Sequence, residues 1–155
     1  KLWHTMIPAA IILGAIGLDH FVKTDREKLD LLVDDILAAT AAEDLARIET
    51  LFADDYDDGY NRSKQDILRL CRKWFSKPII VKNVLANKLI EIQDKKAAAM
   101  LVVVTHVEPG HELIGDFKIL QSTSKLMLSK YGGKWKIKEA QITQINNQNI
   151  RWGDF

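Results

Sequence analysis

Residues 79–107 read IIVKNVLANKLIEIQDKKAAAMLVVVTHV, and this stretch decides the fold class. Branched apolar residues fill both halves, which is typical of strands. Asp94-Lys95-Lys96 separates the halves and predicts the turn of an antiparallel hairpin. Ala97 to Val107 carries apolar residues at successive positions. We therefore expect a central strand that is covered on both faces.

A second hairpin follows along the chain. Tyr131-Gly132-Gly133-Lys134 is a strong turn signal between an extended segment that ends at Lys130 and another that runs from Trp135 to Ile145. The apolar alternation of the last segment shifts phase between Ile137 and Ile142. This shift predicts a β-bulge near Glu139 and Ala140.

Three helix start signals precede the strands. Thr24 to Glu27, Thr40 to Glu43 and Ser63 to Asp66 each place a hydroxyl residue three positions before a carboxylate, as a helix N-terminus requires. Apolar residues at helical spacing follow each signal. The order of three helices and four long strands predicts an α+β domain.

The composition excludes some classes of protein. Lys and Arg number 22 and Asp and Glu number 21, so the net charge is +1. This balance gives no reason to expect a nucleic-acid partner. Cys71 is the single cysteine, so no intramolecular disulfide forms.

The N-terminal segment is apolar. The run from Met6 to Leu18 has 13 residues, a length typical of a signal peptide. Extended from Leu2 to Val22, the segment has 21 residues, enough to span a membrane as a helix. We predict an uncleaved membrane anchor. The alternatives are secretion after signal cleavage and a helix within the core of a soluble protein. The predicted anchor residues are Trp3, Ile7, Ile11, Ile12, Leu13 and Ile16.

The flanking charges predict an orientation. Lys1 precedes the apolar run and Asp19 follows it, which predicts a cytoplasmic N-terminus and a domain on the periplasmic side. We accordingly divide the chain into a hydrophobic anchor or signal segment at 1–22, a folded domain at 23–146 and a C-terminal tail at 147–155.

The folded domain resembles the nuclear transport factor 2-like superfamily. The features that carry the resemblance are Leu51-Phe-Ala-Asp-Asp-Tyr56 after the second helix, the helix of Ser63 to Phe75, and Gly133-Lys-Trp-Lys-Ile137. The superfamily includes SnoaL-type polyketide cyclases, ketosteroid isomerases and many uncharacterised bacterial domains. The resemblance implies three helices in the concave face of a strongly curved, mostly antiparallel sheet of four to six strands. This cone-shaped fold often dimerises through its outer face, and many members only bind or assemble.

Two titratable residues are the candidates for chemistry. Asp55 lies in the acidic run 54–58, and His106 lies on the central strand. A buried carboxylate with a raised pKa and a histidine near neutrality would form an acid–base pair. The acidic run does not fit a calcium loop, because Tyr56 and Gln65 replace required carboxylates. The spacing of His and Cys predicts no metal, and we expect no cofactor.

The resemblance implies a ligand pocket at the open end of the cone. Its expected lining is Tyr56, Tyr60, Trp74, His106, Gln121 and Thr123. No complete catalytic set of the superfamily fits this sequence. We therefore expect a non-catalytic, membrane-anchored accessory domain that binds partner subunits, a second copy of itself or a small apolar ligand. The alternative is a small cofactor-free isomerase, cyclase or dehydratase that uses His106 and Asp55.

Overall fold

The computed structural model describes residues 24–109 and 117–153. The predicted N-terminal helix, with its anchor residues, lies outside these ranges. Of the described residues, 24–31 belong to one compact unit and those from Leu32 onward belong to a second. Within the described ranges, no helix has the length and apolar character that crossing a membrane requires.

Three helices precede the sheet, and their bounds are α1 Asp25–Ala41, α2 Leu45–Leu51 and α3 Lys64–Trp74. The predicted capping box at Thr24 is confirmed: its N–H donates to Glu27 Oε2 at 2.7 Å, and Glu27 N–H donates to Thr24 Oγ1 at 3.3 Å. Ser63 caps α3 by accepting from the N–H of Asp66, as predicted.

The capping box predicted at Thr40 is wrong. Thr40 lies in the last turn of α1, where its hydroxyl donates to the carbonyl oxygen of Ile36 at 2.8 Å. Asp44 caps α2 instead and accepts from the N–H of Arg47. Both residue types suit an N-cap, so the start signal alone did not decide between them. Glu43 takes no part in a capping box and instead binds the start of the sheet, where it accepts from the N–H groups of Ile79 and Ile80.

The sheet is antiparallel and has five strands in the order β1-β2-β3-β4-β5. The strands are β1 Ile80–Gln93, β2 Lys96–Val107, β3 Ile119–Tyr131, β4 Lys134–Ile145 and β5 Gln148–Asn149. The four long strands and both hairpins agree with the sequence prediction. The class is α+β with three helices on an antiparallel sheet.

The two faces of the sheet differ. Alternate residues of β2, such as Ala99, Leu101 and Val103, are buried. On this helix-facing side, Asn83 accepts from the hydroxyl of Thr105 at 2.8 Å and donates to Thr40 Oγ1 of α1 at 2.9 Å. Met100, on the opposite side, is 49% exposed. The expectation that β2 is covered on both faces is therefore wrong for the single chain.

The predicted bulge is present one residue earlier than expected. Met127 pairs with Glu139 and Leu128 pairs with Ile137, which leaves Lys138 as the extra residue of β4. A second register shift falls between Thr123 and Ser124. Bulges bend a strand and increase its twist, so β4 changes direction twice along its length.

Candidate functional site

The acidic run between α2 and α3 forms the densest polar cluster among the described residues. Asp58 is 5% exposed, and its carboxylate accepts five hydrogen bonds. Oδ1 accepts from the backbone N–H groups of Tyr60 at 2.9 Å and Asn61 at 2.6 Å. Oδ2 accepts from the Tyr56 hydroxyl at 2.6 Å, the Asn61 amide at 3.0 Å and Trp152 Nε1 at 3.0 Å.

These bonds give Asp58 a structural role. A carboxylate offers about four acceptor positions, so five donors leave none for a substrate. Burial raises the pKa of Asp58, but the donated hydrogen bonds outweigh burial and hold it below its ordinary value. Burial and the bond to Asp58 raise the pKa of Tyr56. The pair is thus an ionised acceptor and a fixed donor, not an acid–base couple.

The C-terminal residues dock on this cluster. Gln148 and Asn149 pair with the end of β4, and Trp152 reaches Asp58 as described. Gly153 has φ of +97° and lies against the ring of Tyr60; a Cβ on Gly153 would be 2.5 Å from that ring. We call Tyr56, Asp58, Asn61 and Trp152 the Asp58 cluster.

Acid is expected to weaken the Asp58 cluster. Because the folded pKa of Asp58 is lowered, its contribution to stability is present above the unfolded pKa near 3.9 and is lost as pH falls below it. The stability difference between wild type and Asp58→Asn, measured by urea unfolding, should be largest near neutrality and shrink as pH falls to about 3. A difference that is constant with pH would contradict this assignment.

Asp55 does not have the environment of a general base. Its side chain is 59% exposed and lies 2.8 Å from Lys138 Nζ, and it accepts from the Tyr131 hydroxyl at 2.6 Å. The bond to Lys138 has the largest effect, and together with the bond from Tyr131 it holds the pKa of Asp55 below its ordinary value. A base active near neutrality requires the opposite shift.

His106 lies at the other end of the sheet. It pairs with Ile119 at the start of β3, whereas Asp55 contacts Tyr131 at the end of β3. At about 3.3 Å per residue, the 12 steps along this strand correspond to roughly 40 Å. The structure therefore does not bring the two catalytic candidates together.

The six predicted pocket residues are also divided. Tyr56 is buried in the Asp58 cluster, Tyr60 is 54% exposed, and Trp74 of α3 is half-buried. His106, Gln121 and Thr123 lie on the sheet face opposite the helices, where Gln121 and Thr123 pair with Val104 and Val102. Strand alternation brings Ser122 and Ser124 to the helix-facing side instead.

A different surface emerges on the face of the sheet that points away from the helices, which we call the outer sheet face. Apolar side chains of neighbouring strands meet there in register: Val84 lies opposite Val104, and Leu89 lies opposite Met100. Val84, Leu89 and Met100 are 44%, 57% and 49% exposed. A groove of about 320 Å³ runs between Leu89, Met100 and Met127, with Glu91 and Lys125 at its edges.

The sequence carried a signal for this surface. Even-numbered residues from Ala98 to Val104 are as apolar as the odd-numbered residues, which is unusual for a strand with one solvated face. The pattern is the same whether the second face is covered by the chain itself or by a partner. Among the described residues, no three His, Cys, Asp or Glu side chains are placed to hold a metal ion.

Comparisons with known proteins identify the fold. No family model and no curated protein matches the sequence. Among solved structures, a putative calcium/calmodulin dependent protein kinase II association domain from Xanthomonas campestris is 18% identical, with a TM-score of 0.62 over 81% of this chain and 91% of that chain. A putative scytalone dehydratase from Novosphingobium aromaticivorans is 15% identical, with a TM-score of 0.61 over 83% of this chain and 90% of that chain.

A third structure has the same fold. An NTF2-like protein of unknown function from Pseudomonas putida is 15% identical, with a TM-score of 0.58 over 81% of this chain and 92% of that chain. At these identities the likeness concerns the fold alone, and the neighbours include proteins of unknown function. The chain has the nuclear transport factor 2-like fold, in agreement with its sequence resemblance.

Proposed function

We propose that this chain is a non-catalytic accessory domain that joins a protein assembly through its outer sheet face. The exposed apolar surface around Leu89 and Met100 is the observation that carries the proposal. Single exposed apolar residues are normal on soluble proteins, but contiguous apolar patches mark interaction sites. Here the exposed residues are adjacent across two strands and border a groove.

A second copy of the chain is the partner that this face fits best. Glu91 and Lys125 flank the groove and carry opposite charges. In a twofold-symmetric pair, each surface meets its own copy, so Lys125 of one chain can face Glu91 of the other. The apolar centre with a charged edge matches the anatomy of protein interfaces. The association domain of similar fold from Xanthomonas campestris supports an assembly role.

Attachment to a membrane is the second element of the proposal. The apolar segment 1–22 would hold the domain at the membrane, on the periplasmic side. Its support is the sequence alone, in particular the 21 residues from Leu2 to Val22 with only terminal polar positions. A full-length chain that remains in solution without detergent would contradict this element.

Leu89→Asp is expected to convert the assembled protein to a monomer. The substitution places a charge in the apolar centre of the outer sheet face, where an unpaired buried charge costs several kcal/mol on association. Light scattering after size-exclusion chromatography in detergent measures the mass of the protein component. Leu31→Asp is the matched control, since Leu31 is 48% exposed on α1 and belongs to no strand.

The outcomes separate the possibilities. Loss of mass in Leu89→Asp alone supports assembly through the outer sheet face. A wild-type chain that is already monomeric at high concentration rules out self-pairing.

The same groove, near the lower size limit of ligand pockets of about 300 Å³, makes binding of a small apolar ligand the second candidate function. In that case a fluorescent apolar probe should bind the wild-type monomer, and Leu89→Asp should abolish that binding.

A further inference from the structure

Lysine residues are concentrated at one end of the sheet. The β1–β2 turn and the β3–β4 turn lie side by side there, since the N–H of Lys130 donates to the carbonyl oxygen of Lys95 at 3.0 Å. Residues 94–96 and 130–138 together contain six lysines and a single carboxylate, that of Asp94. The whole chain has a net charge of only +1, so the rest of the chain is net negative. Asp55, from the acidic run, contacts this end of the sheet through Lys138 and Tyr131.

Half of these lysines are held by contacts within the fold. Lys138 pairs with Asp55 at 2.8 Å. Lys136 donates to the carbonyl oxygen of Thr50 at 2.9 Å. Lys130 lies over the ring of Trp135, 5.8 Å from its centroid. These contacts hold the base of the β3–β4 turn.

The other three lysines point outward. Lys95, Lys96 and Lys134 are all exposed, and no carboxylate of the described residues forms an ion pair with them. Tyr131 ends β3 and pairs with Lys134; it is 38% exposed, and its hydroxyl donates to Asp55. We call Lys95, Lys96 and Lys134 the tip lysines. An exposed tyrosine among lysines is the combination that membrane interfaces favour.

We propose that the tip lysines bind the anionic headgroups of phospholipids and so orient the domain on the membrane surface. This inference rests on the membrane attachment in the proposed function, because a tethered domain meets headgroups at high local concentration. A lysine near an anionic membrane contributes about 1 kcal/mol, and three act together. A nucleic-acid partner is disfavoured by the near-neutral chain, which lacks the overall basic charge of such binders.

The test compares the full chain on two kinds of vesicle. Lipid titration gives the partition coefficient for phosphatidylcholine vesicles and for vesicles that also contain phosphatidylglycerol. We expect wild type to prefer the anionic vesicles and the triple variant Lys95→Gln/Lys96→Gln/Lys134→Gln to lose roughly 100-fold of this preference. High salt should remove the preference in wild type, since it screens exposed charges.

A matched triple variant controls for net charge. Lys73→Gln/Lys82→Gln/Lys118→Gln removes the same charge from exposed positions outside the two turns and should keep the preference. Equal losses in both variants, or no loss in the tip variant, would overturn the inference. Loss of DNA binding in the tip variant with unchanged vesicle binding would also overturn it and favour a nucleic-acid partner.

The two proposals fail in different ways. Binding to neutral vesicles reports the anchor and is expected in wild type and in both variants. If no protein binds neutral vesicles, membrane attachment fails, whatever happens with anionic lipid. If all three proteins bind neutral vesicles and none prefers anionic lipid, attachment stands and the role of the tip lysines fails.

Discussion

Asp58→Ala is expected to destabilise the domain by roughly 3–5 kcal/mol, because several buried donors lose their acceptor. This is a large part of the total stability of a protein this size. The substitution removes the acceptor of five hydrogen bonds, among them those from the buried hydroxyl of Tyr56 and the indole N–H of Trp152. A buried donor left unsatisfied costs about 1–3 kcal/mol. Urea unfolding followed by circular dichroism measures the change.

Asp57→Ala is the control for this prediction. Asp57 is the preceding residue, is exposed, and accepts one hydrogen bond, from the N–H of Gly59 at 2.8 Å. Its replacement should cost less than about 1 kcal/mol. If the two variants are equally stable, the Asp58 cluster does not hold the fold together. Trp152→Phe should show an intermediate loss, because it removes one donor and keeps most of the ring volume.

Leu128→Ala is expected to cost about 2–5 kcal/mol, the range for large-to-small substitutions in a core. Leu128 is 1% exposed and lies opposite Ile137 on the helix-facing side of β3. Truncation leaves a cavity that the surrounding strands cannot close, because both neighbours are fixed in the ladder. Thermal or urea unfolding measures the loss.

Met127→Ala gives the complementary result. Met127 is the adjacent residue, but it lies on the outer sheet face and borders the groove. In the monomer, Met127→Ala should lower the free energy of unfolding by less than about 1 kcal/mol. In the assembled protein, the same substitution should reduce the mass measured after size-exclusion chromatography. If Met127→Ala destabilises the monomer as much as Leu128→Ala, the two faces of β3 do not have the separate roles assigned to them.

The sequence contained enough information for the fold. Turn chemistry at Asp94 and Gly132, together with helical spacing after Ser63, predicted the order of the elements correctly. The predicted start of α2 was wrong because Thr40 and Asp44 are both suitable N-cap residues. Which of the two residues caps the helix depends on whether Glu43 binds the sheet, as it does through Ile79 and Ile80. The local sequence gives no signal for that tertiary contact.

The site was less predictable. The apolar run in β2 has the same pattern whether its second face is buried by the chain itself or by a partner, so the exposure of Met100 could not be inferred. The sheet face on which Gln121 and Thr123 lie depends on the register of the neighbouring strands, which the sequence alone does not give. The sequence does not distinguish Asp58 from the other acidic residues of its run. Its role depends on the contact with Trp152, which lies 94 positions later in the chain.

That last distance has a consequence for biosynthesis. Trp152 follows all four long strands in the chain, so the carboxylate of Asp58 lacks one of its five donors until the tail has been made. Without that residue the chain can form its hairpins but cannot complete the contact between the acidic loop and the tail. A chain truncated after Arg151 should therefore form its strands but remain sensitive to protease at the acidic loop.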